Sequence, residues 1–439
     1  MKWILGALLL LFAGFVFELG PLVYAMYVLI GVLLVSRFLT FIWIESMSVK
    51  RDCNRFSCQI GETVAVAASV RNMGLLPVPW ILVEDALPQD AILDHSVKPK
   101  GPRVSVAQLF PLAGKNLLYQ LTFQRRGYYQ VGPMLLESGD LFGLHRRFKV
   151  GGQPNFILVY PKVVPLDGYD IASRRPIGEV KMMHRLFEDP TRISGVRAYE
   201  AGDPLNRVHW RATARTGQLH SKTYDPSCIA GMTLLLDFHE YSHRGGSFAP
   251  MLTELCITTA ASLANTVYQM NQQVGLISNG RDAVERVKEE GWKEEFRTRS
   301  MAKKLLDLRG KSDRLRPVLV KTARGADQLM RILETLARVE LTTGLSFAQL
   351  VEESRPYLPR DSTIVAVLRH VSEETALALG SLKRSGYAVT AVVIVPERIP
   401  DWVVPPDWAN FLLAQGIGFR PIHDEESLTQ LCGQQMLTA

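Results

Sequence analysis

Apolar residues fill the first 45 positions in two runs. Residues 3–17 are apolar apart from small glycines, Glu18, Leu19, Gly20 and Pro21 interrupt, and residues 22–44 form a second run whose single charge is Arg37. About 20 apolar residues cross a bilayer. The second run meets that length, and the Arg37 stem is long enough to bring its charge to a head-group layer. The first run has the length of a signal-peptide core, but no small-x-small cleavage site follows it. The pattern predicts a transmembrane helical hairpin over residues 1–45. Lys2 precedes it, Glu18 lies in its turn, and Lys50, Arg51 and Arg55 follow it, so the positive charges place both ends and the soluble bulk in the cytoplasm.

From 59 to 161 the pattern alternates with period two. Residues 63–70 end at Arg71-Asn72-Met73-Gly74, Pro77 and Pro79 precede the run 80–83, and 117–123 and 156–160 are similar. Short alternating runs bounded by Gly, Pro and Asn predict an antiparallel β-sandwich-like module. After residue 231 the apolar runs become continuous, as in strands buried on both faces: 232–237, 274–278, 363–369, 387–395 and 418–421. Helical stretches at 250–272, 326–339, 372–386 and 406–415 separate them. This alternation predicts an α/β domain over 231–439 around a parallel sheet. Residues 162–230 form a linking segment. Within 281–316 charges of both signs crowd together, which reads as a solvated insertion, with a partner-docking arm as the sharper alternative.

Composition narrows the function classes. A chain of 439 residues with 47% hydrophobic and 21% charged residues has enough apolar surface for several cores, so the protein is multidomain and folded. A net charge of +7 suits an anionic membrane surface and is too weak and too dispersed to argue for nucleic acid. The five cysteines (Cys53, Cys58, Cys228, Cys256 and Cys432) lack framework or zinc spacing. Free thiols agree with a reducing compartment. Cys228 and Cys256 read as small buried residues.

The most distinctive stretch is SGVRAYEAGDPLNRVHWRATARTGQLHSKTYD, residues 194–225. Ala201-Gly202 predicts a turn, Asp203 an N-cap, Pro204 a first helical position and Gly217 a C-terminal stop. On such a helix Arg207, Arg211 and Arg215 recur every four residues along one stripe, with Arg192 and Arg197 upstream. Like charges at that spacing repel by a few tenths of a kcal/mol per pair, roughly, so anions must offset the row. Those anions are either internal (Glu179, Glu188, Asp189, Glu200 or Asp203) or belong to an acidic or phosphate-bearing partner. Arginine's planar fork suits both accounts. His209 reads as a structural hydrogen-bonder and Trp210 as a buried side chain.

The pattern Arg197-x-Tyr199-x-x-Gly202-Asp203-x-x-x-Arg207-x-His209-Trp210-x-x-Thr213-Ala214-Arg215 resembles the signature of the bacterial family called domain of unknown function 58. Arg126-Gly127-x-Tyr129-x-x-Gly132-Pro133, Gly139-Asp140-x-Phe142-Gly143-Leu144 and Val159-Tyr160-Pro161 agree with it. The resemblance spans nearly the whole chain. It implies a bacterial inner-membrane protein with a β-rich module, a C-terminal domain similar to von Willebrand factor A, and a MoxR-type AAA+ ATPase as partner. It supplies no chemical role for the motif residues.

Tests for chemistry come out weak. A von Willebrand A domain holds a divalent metal through Asp-x-Ser-x-Ser. The matching positions here are Asp237, His239 and Tyr241, so both hydroxyls are gone and the site is degenerate. The same loop reads His239-Glu240-Tyr241-Ser242-His243, the H-E-x-x-H pattern of zinc hydrolases, but a strand ends at its door and Arg244-Gly245-Gly246 follows. Gly310-Lys311-Ser312 lacks the first glycine of a phosphate loop, with Leu305 in its place. These residues predict a membrane-anchored interaction or scaffold protein without cofactor or catalytic residues. Arg197, Tyr199, Gly202, Asp203, Arg207, His209, Trp210, Arg211 and Arg215 are the possible partner- or anion-binding set. The alternative is a zinc-dependent hydrolase using His239, Glu240 and His243.

Overall fold

In the computed structural model, residues 2–18, 20–143, 145–166, 188–199, 208–226, 231–243, 249–290, 316–359, 362–396 and 407–431 are described. They fall into two compact units. One comprises Met1–Lys162, Asp282–Lys311 and Leu336–Val339; the other comprises Val163–Arg281, Ser312–Thr335 and Glu340–Ala439.

The first unit starts with helices α1 (Lys2–Val16) and α2 (Gly20–Glu45). Glu18 turns the chain between them with φ 51°, and Gly14 of α1 abuts the side chains of Val23 and Leu22. Among the described residues, α2 alone is long and apolar enough to cross a membrane; α1 is shorter. The last turns of α2 leave the purely apolar pattern, and there Trp43 and Ile44 are buried in the core of the β-module.

That module contains β1 (Met47–Cys53), β2 (Ser57–Gln59), β3 (Thr63–Asn72), β4 (Val78–Asp85), helix α3 (Gln89–Leu93), β5 (Val97–Lys100), β6 (Val104–Leu109), β7 (Gly114–Phe123), β8 (Gly127–Val131), β9 (Met134–Gly139), β10 (Arg146–Gly151) and β11 (Asn155–Tyr160). They form sheets of order β1-β3-β7-β5, β10-β9-β4-β6 and β2-β11-β8. Strict alternation drives the packing: along β3 every second residue, Val64, Val66, Ala68 and Val70, is buried. Ala68, Val70 and Leu117 of the first sheet meet Ile81, Val83, Met134 and Leu136 of the second. Val66, Leu121 and Phe123 meet Val131, Ile157 and Val159 of the third.

Strand β1 lies ahead of the expected start at residue 59. Its sequence, MSVKRDC, reads as charged loop because its one inward cation is buried with a partner far along the chain. Arg51 forms a two-pronged ion pair with Asp85, their side chains 3% and 0% exposed. The same guanidinium donates to the carbonyls of Val131 and Gln153, and Tyr119 donates its hydroxyl to Asp85 at 2.7 Å. Burial beside that carboxylate pushes the Tyr119 phenol up, so it stays a donor. Gly132 is required here, since a Cβ would collide with the Arg51 guanidinium.

The second unit carries an antiparallel ribbon, β12 (Glu188–Ala198) with β13 (His220–Pro226), and helix α4 (Trp210–Thr216) between them in sequence. Its main sheet is built from β14 (Gly231–Leu236), β15 (Gln273–Ser278), β16 (Val318–Ala323), β17 (Ser362–Leu368), β18 (Ala388–Ile394) and β19 (Gly418–Ile422). Their spatial order is β16-β15-β14-β17-β18-β19. Helices α5 (Glu240–His243), α6 (Ala249–Gln269), α7 (Ala326–Arg338), α8 (Phe347–Ser354), α9 (Glu373–Arg384) and α10 (Asp407–Ala414) connect the strands. Every residue of β14 and β17 is buried, as central strands covered on both faces must be. The sheet is mixed, not purely parallel as expected: β16 runs antiparallel to β15 at one edge. Its short sequence directly follows the charged run and carries no alternation to mark it. Of the expected insertion, residues 291–315 lie outside the described residues.

Replacing Asp85 with Asn would leave the Arg51 guanidinium buried without its counter-charge. Denaturant unfolding of the detergent-solubilised chain should show a loss of about 3–5 kcal/mol. Lys50→Ala, which removes an exposed ion pair with Asp52, should cost about 1 kcal/mol or less.

Candidate functional site

In an open sheet whose strands run in the sequence order 3-2-1-4-5-6, crossovers leave the first and fourth strands in opposite directions. The crevice beyond their carboxyl ends is where such folds bind ligands. Here those strands are β14 and β17. The crevice is made by Asp237, Phe238 and His239 after β14, by Asn279 after β15, and by Arg369 and His370 after β17.

Asp237 sits where the chain leaves β14, 1% exposed. Its carboxylate Oδ1 accepts from Asn279 Nδ2 at 2.9 Å and from the His239 amide at 3.1 Å. Asn279 returns the favour to the strand end by accepting the Phe238 amide at 2.6 Å, and it donates to the Leu345 carbonyl at 3.0 Å. The loop at 342 closes the other side: Thr342 accepts from Glu240 N and donates its own amide to Phe238 O. Asp237 is therefore a buried acceptor that pins three loops together.

A magnesium ion needs several hard oxygens in octahedral array. The residues present fit one poorly, because positions 239 and 241 carry His and Tyr in place of hydroxyls and Asp237 Oδ1 already accepts from two N–H donors. Among the described residues no group of three or more His, Cys, Asp and Glu side chains could hold a metal.

The histidines of the H-E-x-x-H pattern are separated in role. His243 is buried; its Nε2 lies 2.9 Å from the Asp237 carbonyl and its Nδ1 3.0 Å from Thr253 Oγ1. His239 is half-buried, and its Nδ1 accepts the Tyr241 amide at 3.3 Å. Helix α5 is a single turn that begins with Glu240. Tyr241, 68% exposed, stands edge-on to His370 with ring centroids 6.3 Å apart. An aromatic ring and an imidazole that stay exposed at the switch point can stack on or hydrogen-bond to an incoming surface. Among the described thiols, burial pushes Cys58 up to about 11 and raises Cys256 further, so neither ionises near neutrality.

The signature segment is only partly described. Gly202, Asp203 and Arg207 lie outside the described residues, as do Glu179 and Glu200. Arg197 is half-buried on β12, its Nη1 donating to the Ala198 carbonyl, and the Tyr199 amide donates to Leu219 O across the ribbon. The helix is shorter than expected. Val208 still makes a β-bridge to Ser221, so α4 starts at Trp210 and Arg207 precedes it. His209 is the cap: its Nδ1 accepts the Ala212 amide at 3.0 Å, satisfying a first-turn donor. Gly217 ends the helix with φ 74°, as its position in the sequence predicts.

Trp210, expected to be buried, is instead 66% exposed at the first position of α4. Arg211 and Arg215 are exposed one turn apart, with no ion pair to any described residue. Sequence reasoning missed Asn279. Its only signal was the Ser278-Asn279-Gly280 stop after a buried strand.

Asn279→Asp would set two carboxylates about 3 Å apart in this crevice, where like charge raises the pKa of one of them. The variant should be markedly less stable than the parent at pH 7, with the gap closing as pH falls toward 4 and one carboxyl protonates. A gap independent of pH would contradict this picture.

Comparison with known proteins places the same segment. Residues 195–349 match the family described as "Protein of unknown function DUF58". An uncharacterised protein of Bacillus subtilis, YeaD, is 22% identical over 242 residues, which cover 54% of this chain and 57% of that relative. Among solved structures, the CARDB domain of a Pyrococcus furiosus protein, crystallised with di-metal ions, shares 16% identity over 26% of this chain and 91% of that one, with a TM-score of 0.17. The sporulation control protein Spo0M of Bacillus subtilis shares 11% identity over 26% of this chain and 49% of that one, with a TM-score of 0.15. The signature that runs from Arg197 to Arg215 lies within the matched stretch, so residues 195–349, which carry the end of the ribbon, α4 and the start of the sheet, are similar to the DUF58 family, and the chain spans little more than half the length of its Bacillus subtilis relative.

Proposed function

We propose that this protein is a membrane-anchored interaction protein. Two N-terminal helices form a hairpin in the inner membrane with the bulk in the cytoplasm. A von Willebrand A-like domain then presents the carboxyl end of its sheet to a partner. The observation that carries the reading is the state of the switch point. In a doubly wound sheet this is the place for chemistry, and here Asp237 Oδ1 is held by Asn279 and a backbone amide, while Tyr241 and His370 remain exposed beside it. Such a crevice suits recognition of a surface, and its described residues include no cluster of three or more metal-ligating side chains.

The strand order 3-2-1-4-5-6 with an antiparallel third strand supports the von Willebrand A-like reading. Charge asymmetry around the apolar runs supports the orientation. The family resemblance suggests a MoxR-type AAA+ ATPase as the partner. The exposed arginines of α4, Arg211 and Arg215, offer a second anion-attracting surface in the same unit.

The test is affinity capture of the full-length chain from detergent-solubilised membranes, with partners identified by mass spectrometry. An AAA+ ATPase should be recovered with the parent chain. Recovery should fall at least about tenfold with Tyr241→Ala, as for a truncated aromatic anchor, and should fall with Arg211→Glu while both variants keep the parental unfolding midpoint. Equal recovery with folded variants would remove these faces from the interaction.

A further inference from the structure

The β-module has two ends, and the strand registers assign each loop to one of them. Met47 pairs with Asn72, Arg71 with Gly114, Val78 with Leu109, Ile81 with Ser138 and Arg146 with Gly139. The loops after β3, β6 and β9 therefore emerge together, at the end of the module where α2 runs into β1. Hydrogen bonds confirm the grouping. The Met73 amide donates to Ser46 O and the Leu112 amide to Asn72 O, while Asn72 Nδ2 donates to the carbonyls of Leu76 and Leu109.

Water-facing loops of this kind are usually polar. These carry Met73, Leu75, Phe110, Leu112, Leu141 and Phe142, all more than half exposed, with Leu75 at 91%. Large apolar side chains gathered at one end mark an interaction surface. What covers it is indicated by α2. Ser36 Oγ donates to the buried Asp140 carboxylate at 2.6 Å and faces His145 Nδ1 at 3.2 Å, so the Leu141–Phe142 loop is held against the helix. Ser36 lies about 24 Å along the axis from Gly20, against a hydrocarbon layer about 30 Å thick. A bilayer spanned by α2 from Gly20 thus reaches its near boundary beside this loop.

The charges around the same end fit a head-group layer. Arg37, Arg71, Lys115 and Arg146 are exposed there. Arg147 lies over the Phe41 ring at 4.7 Å, and the acidic Glu45 is paired with Lys149.

We infer that the α2 end of the β-module is a lipid-binding surface, its three apolar loops entering the interfacial layer of an anionic bilayer and its basic rim meeting the head groups. This rests on the membrane-anchoring reading. Loops seated in this way would fix the tilt of the module against the membrane, where a single helix would leave it free to swing.

The test places a photoreactive benzoylphenylalanine at one position of the full-length chain, reconstituted in nanodiscs of phosphatidylglycerol and phosphatidylcholine containing a clickable lipid. Tyr24, on α2, reports the span; Leu93, 72% exposed on α3 at the opposite end of the module, reports background. Probes at Leu75 and Leu141 should capture lipid as Tyr24 does and well above Leu93. Capture at Tyr24 with none at Leu75 or Leu141 would overturn the inference and leave the anchor standing; no capture at Tyr24 would overturn both. Arg71→Glu with Lys115→Glu should lower capture at Leu75 about fivefold per charge in anionic discs and leave it unchanged in pure phosphatidylcholine. Equal capture in both lipids would refute the part played by charge.

Discussion

An apolar helix of 26 residues cannot lie bare in water along its length, and α2 meets that constraint in two ways. Its last turns are dry because they are packed: Thr40, Trp43 and Ile44 are buried against the β-module, and Ser36 is tied to a carboxylate with almost no solvent exposure. Its earlier turns expose Tyr24, Val28, Leu34 and Val35, which find no cover in their own unit. A helix whose one half is a core element and whose other half is long and apolar enough to enter a bilayer would, in the proposed anchoring, couple bilayer and sandwich rigidly. Much else in the first unit follows from it. The loop that grips Ser36 carries Gly139-Asp140-x-Phe142-Gly143: its Asp anchors the helix and its tight turn leaves the Phe at the surface.

Buried polar groups that bond to residues far along the sequence recur through the described residues of both units. Arg51 with Asp85 and Tyr119 fixes the register of β1 against strands far along the sequence, at a cost in desolvation that apolar packing would avoid. Asp237 with Asn279 does the same for the loops at the carboxyl end of the α/β sheet. Arg126 of the Arg-Gly-x-Tyr motif donates to the carbonyls of Leu336 and Val339, a segment of its own compact unit. In each case the charged or amide side chain holds backbone in place.

The elements that depend on local pattern were legible in the sequence, and those that depend on remote partners were not. Periods of two and continuous apolar runs located β3, β7, β14, β17 and β18 closely, and Gly217 marked the end of α4. Strand β1 was invisible because its inward Arg51 reads as surface until Asp85 is known to face it. Strand β16 was invisible because only its antiparallel neighbour defines it. The start of α4 was misplaced because Asp203-Pro204 is a strong local start signal, whereas the bridge between Val208 and Ser221 is a tertiary choice. Burial of Trp210 was a statistical expectation about tryptophan, and a short helix whose described residues include no buried one gives it no core to enter. The exposed apolar loops at the α2 end carry a sequence signal, apolar residues inside turns, that only the registers could gather into one surface.

The account stands on α2 and its neighbour as a hairpin with the bulk of the chain on the cytoplasmic side. Single cysteines at Glu18, in the turn, and at Lys98, on an exposed part of β5, can be probed with a membrane-impermeant maleimide in intact spheroplasts and in inverted vesicles. The account predicts labelling at 18 from the outer face only and at 98 from the inner face only. Labelling of both positions from the same face would contradict it.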